Sequence, residues 1–241
     1  MKNLILATSA MALMTGMAFS DTVRMGTEGA YPPYNFINDA GEVDGYEREV
    51  GDEMCLRAEL TCEWVTNEWD SIIPNLTSGN YDTIIAGMSI TDEREEVIDF
   101  TQNYIPPAAS AYVALSADAD LTGGVIAAQT STIQAGYVAE SGATLLEFAT
   151  YDETVAAVRN GEADAVFADK DALAPAVEES GGELVFAGED VPLGGGVGMG
   201  LRESDTELKA KFDAAIQSMK DDGTLNTAIK KWFGDDAKIF E

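Results

Sequence analysis

Arg94 is the residue of this sequence whose chemistry is easiest to specify. A guanidinium can hold a carboxylate through two parallel, charge-assisted hydrogen bonds. Arg94 stands among Glu93, Glu95 and Glu96, and such a neighbourhood is equally typical of an arginine on a charged helix surface. Residue type alone therefore leaves a carboxylate-binding role and a surface role open.

Two further positions would suit a charged or polar ligand group. Asp169 follows the apolar run 165–168, so its carboxylate lies at the end of a predicted strand, where it could bind a cation or cap the next helix. Thr132, next to Ser131, stands at the start of a predicted helix, whose free N–H groups favour an anion. A plain N-cap is the competing interpretation of Thr132.

Composition excludes several classes of function. The chain has no histidine, so we expect neither a histidine-dependent triad nor the usual zinc site, and we predict no catalytic residue, metal or cofactor. A formal net charge of −29 makes nucleic acid the least favoured partner. The glycines at 194–196 are not followed by Lys-Ser/Thr, as a phosphate loop would require, and are better suited to a hinge.

Short apolar runs alternate with amphipathic segments along the chain. Strands are predicted at 23–27, 62–65, 83–86, 110–115, 124–128, 145–148, 165–168, 183–186 and 197–201. Helices are predicted at 46–58, 71–78, from 91 or 92, and at 132–139, 152–160, 171–177, 205–220 and 224–233. This order predicts an α/β protein with mainly parallel sheets flanked by helices.

Two breaks, Pro106-Pro107 and the glycines at 194–196, divide this pattern into two blocks. We predict lobe 1 at 21–106 plus 197–241 and lobe 2 at 109–193, with hinges near 106–108 and 194–196. Two connecting strands would let the lobes close, and a ligand site would lie in the cleft between them.

The N-terminus predicts export. Lys2 precedes an apolar stretch at 4–19, and Ala18 and Ser20 fit a cleavage site, so we interpret residues 1–20 as a cleavable signal peptide rather than a membrane anchor. No cysteine follows for lipid attachment, which predicts a periplasmic protein without a lipid anchor. In that oxidising compartment, the only two cysteines, Cys55 and Cys62, predict a disulfide.

Four stretches of the sequence form a recognisable set of motifs: GTEGAYPPY at 26–34, GYEREV at 45–50, the segment 81–94 with 99–101, and GMGL at 198–201 with DGT at 222–224 and KWF at 231–233. In this order they resemble the periplasmic polar amino-acid-binding proteins, the solute receptors of ABC importers. Arg48 departs from the second motif, where the family has an apolar residue. The resemblance covers almost the whole mature chain and implies the two-lobed type II periplasmic-binding-protein fold.

The resemblance also implies roles for individual residues. The ligand carboxylate would meet Arg94, Ser89, the Gly87 backbone and Thr132; the ammonium would meet Asp169 and Ser89; the side chain would meet Glu28, Tyr31 and Trp69. Glu28 would favour lysine, arginine or ornithine through a charge pair, or glutamine and asparagine through hydrogen bonds, and would repel glutamate and aspartate. The loop at 86–89 is closer to the glutamine-binding type, whereas the Cys55–Cys62 pair resembles the disulfide of some basic-amino-acid receptors.

Three classes of function remain open at this point. The favoured one is a monomeric receptor, without stable membrane insertion, that captures a basic amino acid (lysine, arginine, ornithine or histidine) and delivers it to the permease subunits of an ABC importer. A glutamine or other neutral polar amino-acid receptor is the alternative within that class. A periplasmic enzyme resembling arogenate or prephenate dehydratases, with Glu28 as its acid, and a soluble sensor module are the alternatives from other classes.

Overall fold

The computed structural model describes residues 22–241, so the predicted signal peptide at 1–20 lies outside the described residues. Two five-stranded sheets and one three-stranded sheet make up its strands, with helices packed against them. Parallel strands occur in both large sheets, and each sheet also contains antiparallel strands. The predicted α/β class is therefore confirmed.

The first sheet has the strand order β5-β1-β6-β13-β7. Its strands are β1 (Val23–Thr27), β5 (Cys62–Thr66), β6 (Thr83–Ile84), β7 (Asp99–Ile105) and β13 (Val197–Leu201). Strand β1 pairs in parallel with β5 and β6, with Met25 opposite Thr83. The segments that follow β1 and β6 therefore begin at the same edge of the sheet.

The second sheet has the order β10-β9-β11-β8-β12. Its strands are β8 (Ala109–Ala114), β9 (Val125–Gln129), β10 (Thr144–Phe148), β11 (Ala165–Asp169) and β12 (Val185–Pro192). Strands β9 and β11 are parallel, with Ala165 opposite Ile126, so Gln129 and Asp169 end neighbouring strands at one edge.

The helices agree with the apolar periodicity of the sequence. They are α1 (Tyr46–Arg57), α2 (Ile72–Thr77), α3 (Asp92–Glu95), α4 (Ile133–Ser141), α5 (Tyr151–Arg159), α6 (Lys170–Glu179), α7 (Thr206–Asp221) and α8 (Thr224–Phe233), with a 3-10 turn at Trp69–Ser71. On α1, the predicted stripe of Tyr46, Val50 and Met54 is buried. No helix within 22–241 combines the length and apolarity needed to cross a membrane.

Four strands were not predicted from the sequence. The three-stranded sheet contains β2 (Ala30–Tyr31), β3 (Asn35–Ile37) and β4 (Val43–Asp44), which are too short to show an alternating pattern. The fourth is β7, where buried and partly exposed residues do not alternate either. A period of two is the signal on which a strand prediction depends, and these segments lack it.

Two segments, 106–108 and 193–196, connect the two large sheets. Gly196 has φ 92°, and a Cβ there would lie 2.5 Å from the Ile105 carbonyl oxygen, so the chain at this crossing requires glycine. The first sheet takes its strands from 23–105 and 197–201, and the second takes them from 109–192. This separation supports the two lobes and hinges, whose boundaries stay a prediction.

The disulfide between Cys55 and Cys62 is present and joins the end of α1 to the start of β5, as predicted. Replacing both cysteines with alanine should lower the free energy of unfolding by about 2–3 kcal/mol, because the unfolded chain regains the freedom of a short closed loop. Urea unfolding of both proteins measures the difference. The alanine variant should not respond to dithiothreitol, whereas the parent should lose the same free energy on reduction. An unchanged unfolding midpoint would contradict this expectation.

Candidate functional site between the two sheets

A cavity with an empty volume of about 320 Å³ lies between the two sheets. Its lining comes from both lobes: Glu28, Tyr31, Trp69, Ala86, Gly87, Ser89, Arg94, Gln129, Thr132, Ile133, Gln134 and Asp169. The structure thus brings together all eight residues singled out as ligand contacts, although their individual roles stay predictions.

Arg94 lies on the short helix α3, where its backbone N–H donates to the Thr91 side chain that caps the helix. Its guanidinium donates to the Ser89 carbonyl at 2.8 Å and to the Ser131 carbonyl, across the cleft, at 3.3 Å. The guanidinium carbon also lies 5.4 Å from the centre of the Trp69 ring. Burial lowers the Arg94 pKa to about 10, so the group stays cationic at neutral pH.

Asp169 ends β11 and faces the cavity. Its Oδ2 accepts a hydrogen bond from the Tyr31 hydroxyl at 2.7 Å, and its Oδ1 accepts one from Gln134 Nε2 at 3.0 Å. The residue occupies the N-cap position of α6 but makes no capping hydrogen bond with its side chain. Burial raises the Asp169 pKa to about 6, while the Tyr31 bond and the Arg94 charge oppose that rise.

Glu28 follows β1 and reaches the opposite lobe. Its Oε1 accepts a hydrogen bond of 2.7 Å from Gln129 Nε2, and the same nitrogen donates to the Ala149 carbonyl at 3.0 Å. Burial raises the Glu28 pKa to about 7, against the lowering effect of the Gln129 bond. Glu28 is therefore a partly buried acid whose pKa lies close to neutral pH.

Thr132 is the N-cap of α4, which favours the structural interpretation of its hydroxyl. The hydroxyl accepts from the Ala135 N–H at 3.1 Å and donates to the Gln129 carbonyl at 2.7 Å. A ligand carboxylate at this position would therefore meet the N–H groups at the start of α4 rather than this oxygen.

The two aromatic residues do more than line the cavity. Tyr31 stacks on Tyr34 with ring centres 5.3 Å apart, and its hydroxyl forms the cross-cleft bond to Asp169. Trp69 packs against the Arg94 guanidinium, and its Nε1 has no hydrogen-bond partner among residues 22–241. Both rings are almost fully buried, each with 8% of its residue surface exposed.

Sequence reasoning did not single out Gln129, Ile133 or Gln134. Gln129 and Gln134 are 7% and 4% exposed. Their amide nitrogens donate hydrogen bonds to the predicted acids of the site, Glu28 and Asp169 respectively. One signal was present in the sequence: Gln129 is the polar end of an otherwise apolar strand at 125–129, next to the predicted helix start.

Among residues 22–241, hydrogen bonds link three residue pairs across the cavity: Tyr31 with Asp169, Gln129 with Glu28, and Arg94 with Ser131. The described structure is thus the closed arrangement of the two lobes. Within residues 22–241, no group of three or more acidic or cysteine side chains is placed to hold a metal ion. The cavity offers one cationic fork and two carboxylates, which suits a small ligand with groups of both charges.

Comparisons with known proteins agree with this chemistry. A family model described as bacterial extracellular solute-binding proteins, family 3, matches residues 23–235. The lysine/arginine/ornithine-binding periplasmic protein of Escherichia coli (strain K12) is 31% identical over 254 residues, with 97% of each chain covered.

Two solved structures are also similar. A crystal structure of a periplasmic His/Glu/Gln/Arg/opine family-binding protein from Silicibacter pomeroyi in complex with lysine is 81% identical, with a TM-score of 0.90 over 91% of this chain and 100% of that chain. An ancestral arginine-binding protein bound to glutamine is 30% identical, with a TM-score of 0.82 over 89% of this chain and 98% of that chain.

Proposed function

We propose, from the premise that this chain belongs to family 3 of the bacterial extracellular solute-binding proteins, that it is a receptor for a basic amino acid, lysine above all. The ligand binds between the lobes, and the closed complex delivers it to the permease of an ABC importer. The observation that carries this proposal is the single cavity lined by Arg94, Asp169 and Glu28.

The charges of the cavity suit the three charged groups of lysine. The α-carboxylate pairs with the Arg94 guanidinium, aided by Ser89 and the backbone of Gly87 and of the α4 start. The α-ammonium pairs with the Asp169 carboxylate, which also accepts a hydrogen bond from the Tyr31 hydroxyl. The side chain lies between Tyr31 and Trp69, and its terminal ammonium reaches Glu28.

Lysine is favoured over glutamine by Glu28 and by the relatives. A partly buried carboxylate pairs with a cation more strongly than with a neutral amide. The similar Silicibacter pomeroyi structure contains lysine, whereas the ancestral protein with glutamine is far less similar in sequence. Periplasmic location follows the relative from Escherichia coli, and we include a cleaved signal peptide at 1–20 and no lipid anchor in the proposal.

A binding screen tests the proposal. Purified protein, unfolded to remove bound ligand and refolded, is heated with each of the 20 amino acids, ornithine or citrulline, and hits are measured by calorimetric titration. A ligand at 100 times its dissociation constant stabilises the folded state by about 2.7 kcal/mol. We expect lysine, arginine or ornithine to give the largest rise in melting temperature. No rise with any amino acid would overturn the receptor function.

The binding screen and one enzyme assay separate the alternatives. A response limited to glutamine would keep the receptor function and overturn the Glu28 charge pair. Conversion of prephenate or arogenate to an aromatic product by the purified protein would favour the enzyme, and a matched Glu28→Gln sample would identify the acid.

Lysine affinity should depend on pH through the two acids of the cavity. Lysine pairs with their ionised forms, so protons must leave Glu28, with a pKa of about 7, and Asp169, with a pKa of about 6. Affinity should therefore be full near pH 8 and fall about ten- to twentyfold by pH 6. Calorimetric titrations at pH 8, 7 and 6 measure this fall. Glutamine, which needs only Asp169 ionised, should lose about twofold over the same range.

The empty protein should respond to pH in the opposite direction. Because both acids have raised pKa values, the folded state holds their protons more tightly than the unfolded chain does. Their contribution to stability is thus present at low pH and lost as pH rises through about 7. A fall in lysine affinity at pH 6 would therefore not be caused by unfolding through these two acids. An affinity that does not change with pH would contradict the assignment of Glu28 and Asp169 as the groups that bind the ammonium groups of lysine.

A further inference from the structure

Glu47, the first of the two acids in the GYEREV stretch, lies outside the ligand cavity and is fully buried on α1. A buried carboxylate needs hydrogen-bond donors to replace water. Oε1 of Glu47 accepts from the Gly87 N–H at 2.6 Å and from the Tyr104 hydroxyl, and Oε2 accepts from Asn35 Nδ2 at 2.7 Å. Burial raises the Glu47 pKa, and these three bonds oppose the rise.

Two of these donors connect Glu47 to the segments that carry the ligand site. Gly87 follows β6 and lines the cavity with Ser89. Asn35, through its Oδ1, accepts from the Gly29 N–H at 2.7 Å, and Gly29 follows Glu28 directly. Glu47 therefore connects the segment after β1 with the segment after β6.

Both side-chain oxygens of residue 47 must accept hydrogen bonds, because the Gly87 N–H donates to Oε1 and Asn35 Nδ2 donates to Oε2. A carboxylate offers two acceptor oxygens, whereas a glutamine offers one oxygen and one donor nitrogen. With glutamine at 47, the nitrogen would face either the Gly87 N–H or the Asn35 Nδ2. If Asn35 turned to accept that nitrogen, its own nitrogen would face the Gly29 N–H instead.

We propose that Glu47 is a positioning residue of the ligand site, which fixes the Gly29 and Gly87 backbone N–H groups and thereby sets Glu28 and Ser89 relative to each other. The consequence for lysine affinity rests on the proposed function, whereas the positioning of the two glycines does not. The buried acid of the motif thus acts on binding from beneath the cavity, without contacting the ligand.

The test swaps the carboxylate and the amide between residues 47 and 35. Glu47→Gln breaks the match of donors and acceptors, and the added change Asn35→Asp restores it, because the introduced carboxylate can accept from both Gly29 and the new glutamine. Tyr46→Phe is the matched control: it removes a buried hydrogen bond of 2.8 Å to the Tyr104 carbonyl but keeps the Tyr104 hydroxyl that donates to Glu47. Lysine dissociation constants, melting temperatures and amide NMR shifts of Gly29 and Gly87 are measured for each protein.

We expect Glu47→Gln to weaken lysine binding by about tenfold or more and to move both glycine amide signals. The double variant should return both signals and bind within about threefold of the parent. Tyr46→Phe should lower the melting temperature and leave affinity within about twofold. A loss of affinity in Glu47→Gln but not in Tyr46→Phe would therefore come from the lost positioning of the two glycines and not from lower stability.

The inference would be overturned if Glu47→Gln lost stability but kept its affinity. It would also be overturned by a folded double variant that binds as weakly as the single variant, or by a double variant that does not fold. If Glu47→Gln alone does not fold, a folded double variant with near-parental affinity supports the inference. If the parent protein binds no amino acid, the proposed function fails, and unmoved Gly29 and Gly87 signals in Glu47→Gln would separately overturn the positioning.

Discussion

Replacing Arg94 with lysine should weaken lysine binding by at least about 100-fold, although the charge at this position is kept. The planar guanidinium can bond the Ser89 and Ser131 carbonyls and still present N–H groups to a carboxylate. A lysine ammonium is a point charge that cannot form the two parallel bonds, and it loses the stacking on Trp69. Calorimetric titration with lysine measures the loss.

Arg159→Lys is the matched control for this substitution. Arg159 pairs with Glu183 at 3.6 Å on the surface of lobe 2, with 41% of its side chain exposed. The same chemical change there should leave lysine affinity within about twofold, because surface ion pairs contribute little. Binding by Arg94→Lys within about threefold of the parent would show that the ligand carboxylate lies elsewhere.

Replacing Glu28 with glutamine should reverse the order of preferred ligands. Affinity for lysine, arginine and ornithine should fall about 100-fold, because the distal cation would enter an enclosed site without its counter-charge. Affinity for glutamine should stay within about threefold, since the new amide can still accept from Gln129 and can bond a ligand amide. Competition titrations of lysine against glutamine measure the ratio directly.

The control for Glu28→Gln is Glu68→Gln. Glu68 is exposed and lines the open groove that adjoins the cavity at Glu28 and Trp69, so this variant removes one negative charge close to the site but outside it. Lysine affinity should change by less than about threefold, more at low salt than at high salt. Equal losses in the two variants would mean that the overall acidity of the protein, rather than Glu28, attracts the cation.

Apolar periodicity predicted the elements that are long and regularly patterned. The buried stripe of α1 and the strands 23–27 and 197–201 were predicted with their observed bounds or within two residues of them. Strand β7 and the three short strands between Ala30 and Asp44 were not, because their pairing partners, not their own patterns, hold them extended. The sequence also could not show that each large sheet adds antiparallel strands.

The cavity depended on contacts between residues that are distant in sequence. Motif resemblance selected eight lining residues, but Gln129 meets Glu28 across 101 positions and Glu47 meets Gly87 across 40. Neither partner is visible in a local window, since an isolated glutamine or glutamate predicts a solvated side chain. Thr132 shows the converse limit, because an N-cap and a ligand contact have the same local pattern.

The charge count of the closed cavity has a consequence for the energy spent on transport. Arg94 contributes one positive charge, and Glu28 and Asp169 contribute two negative charges when both are ionised. The three side chains of the closed cavity therefore carry one net negative charge. A cationic amino acid completes the balance, whereas glutamine leaves the deficit and glutamate deepens it. Closure of the lobes is therefore most favourable around a cationic amino acid. An importer that recognises the closed form would hydrolyse ATP for ligand-bound receptors in preference to ligand-free ones.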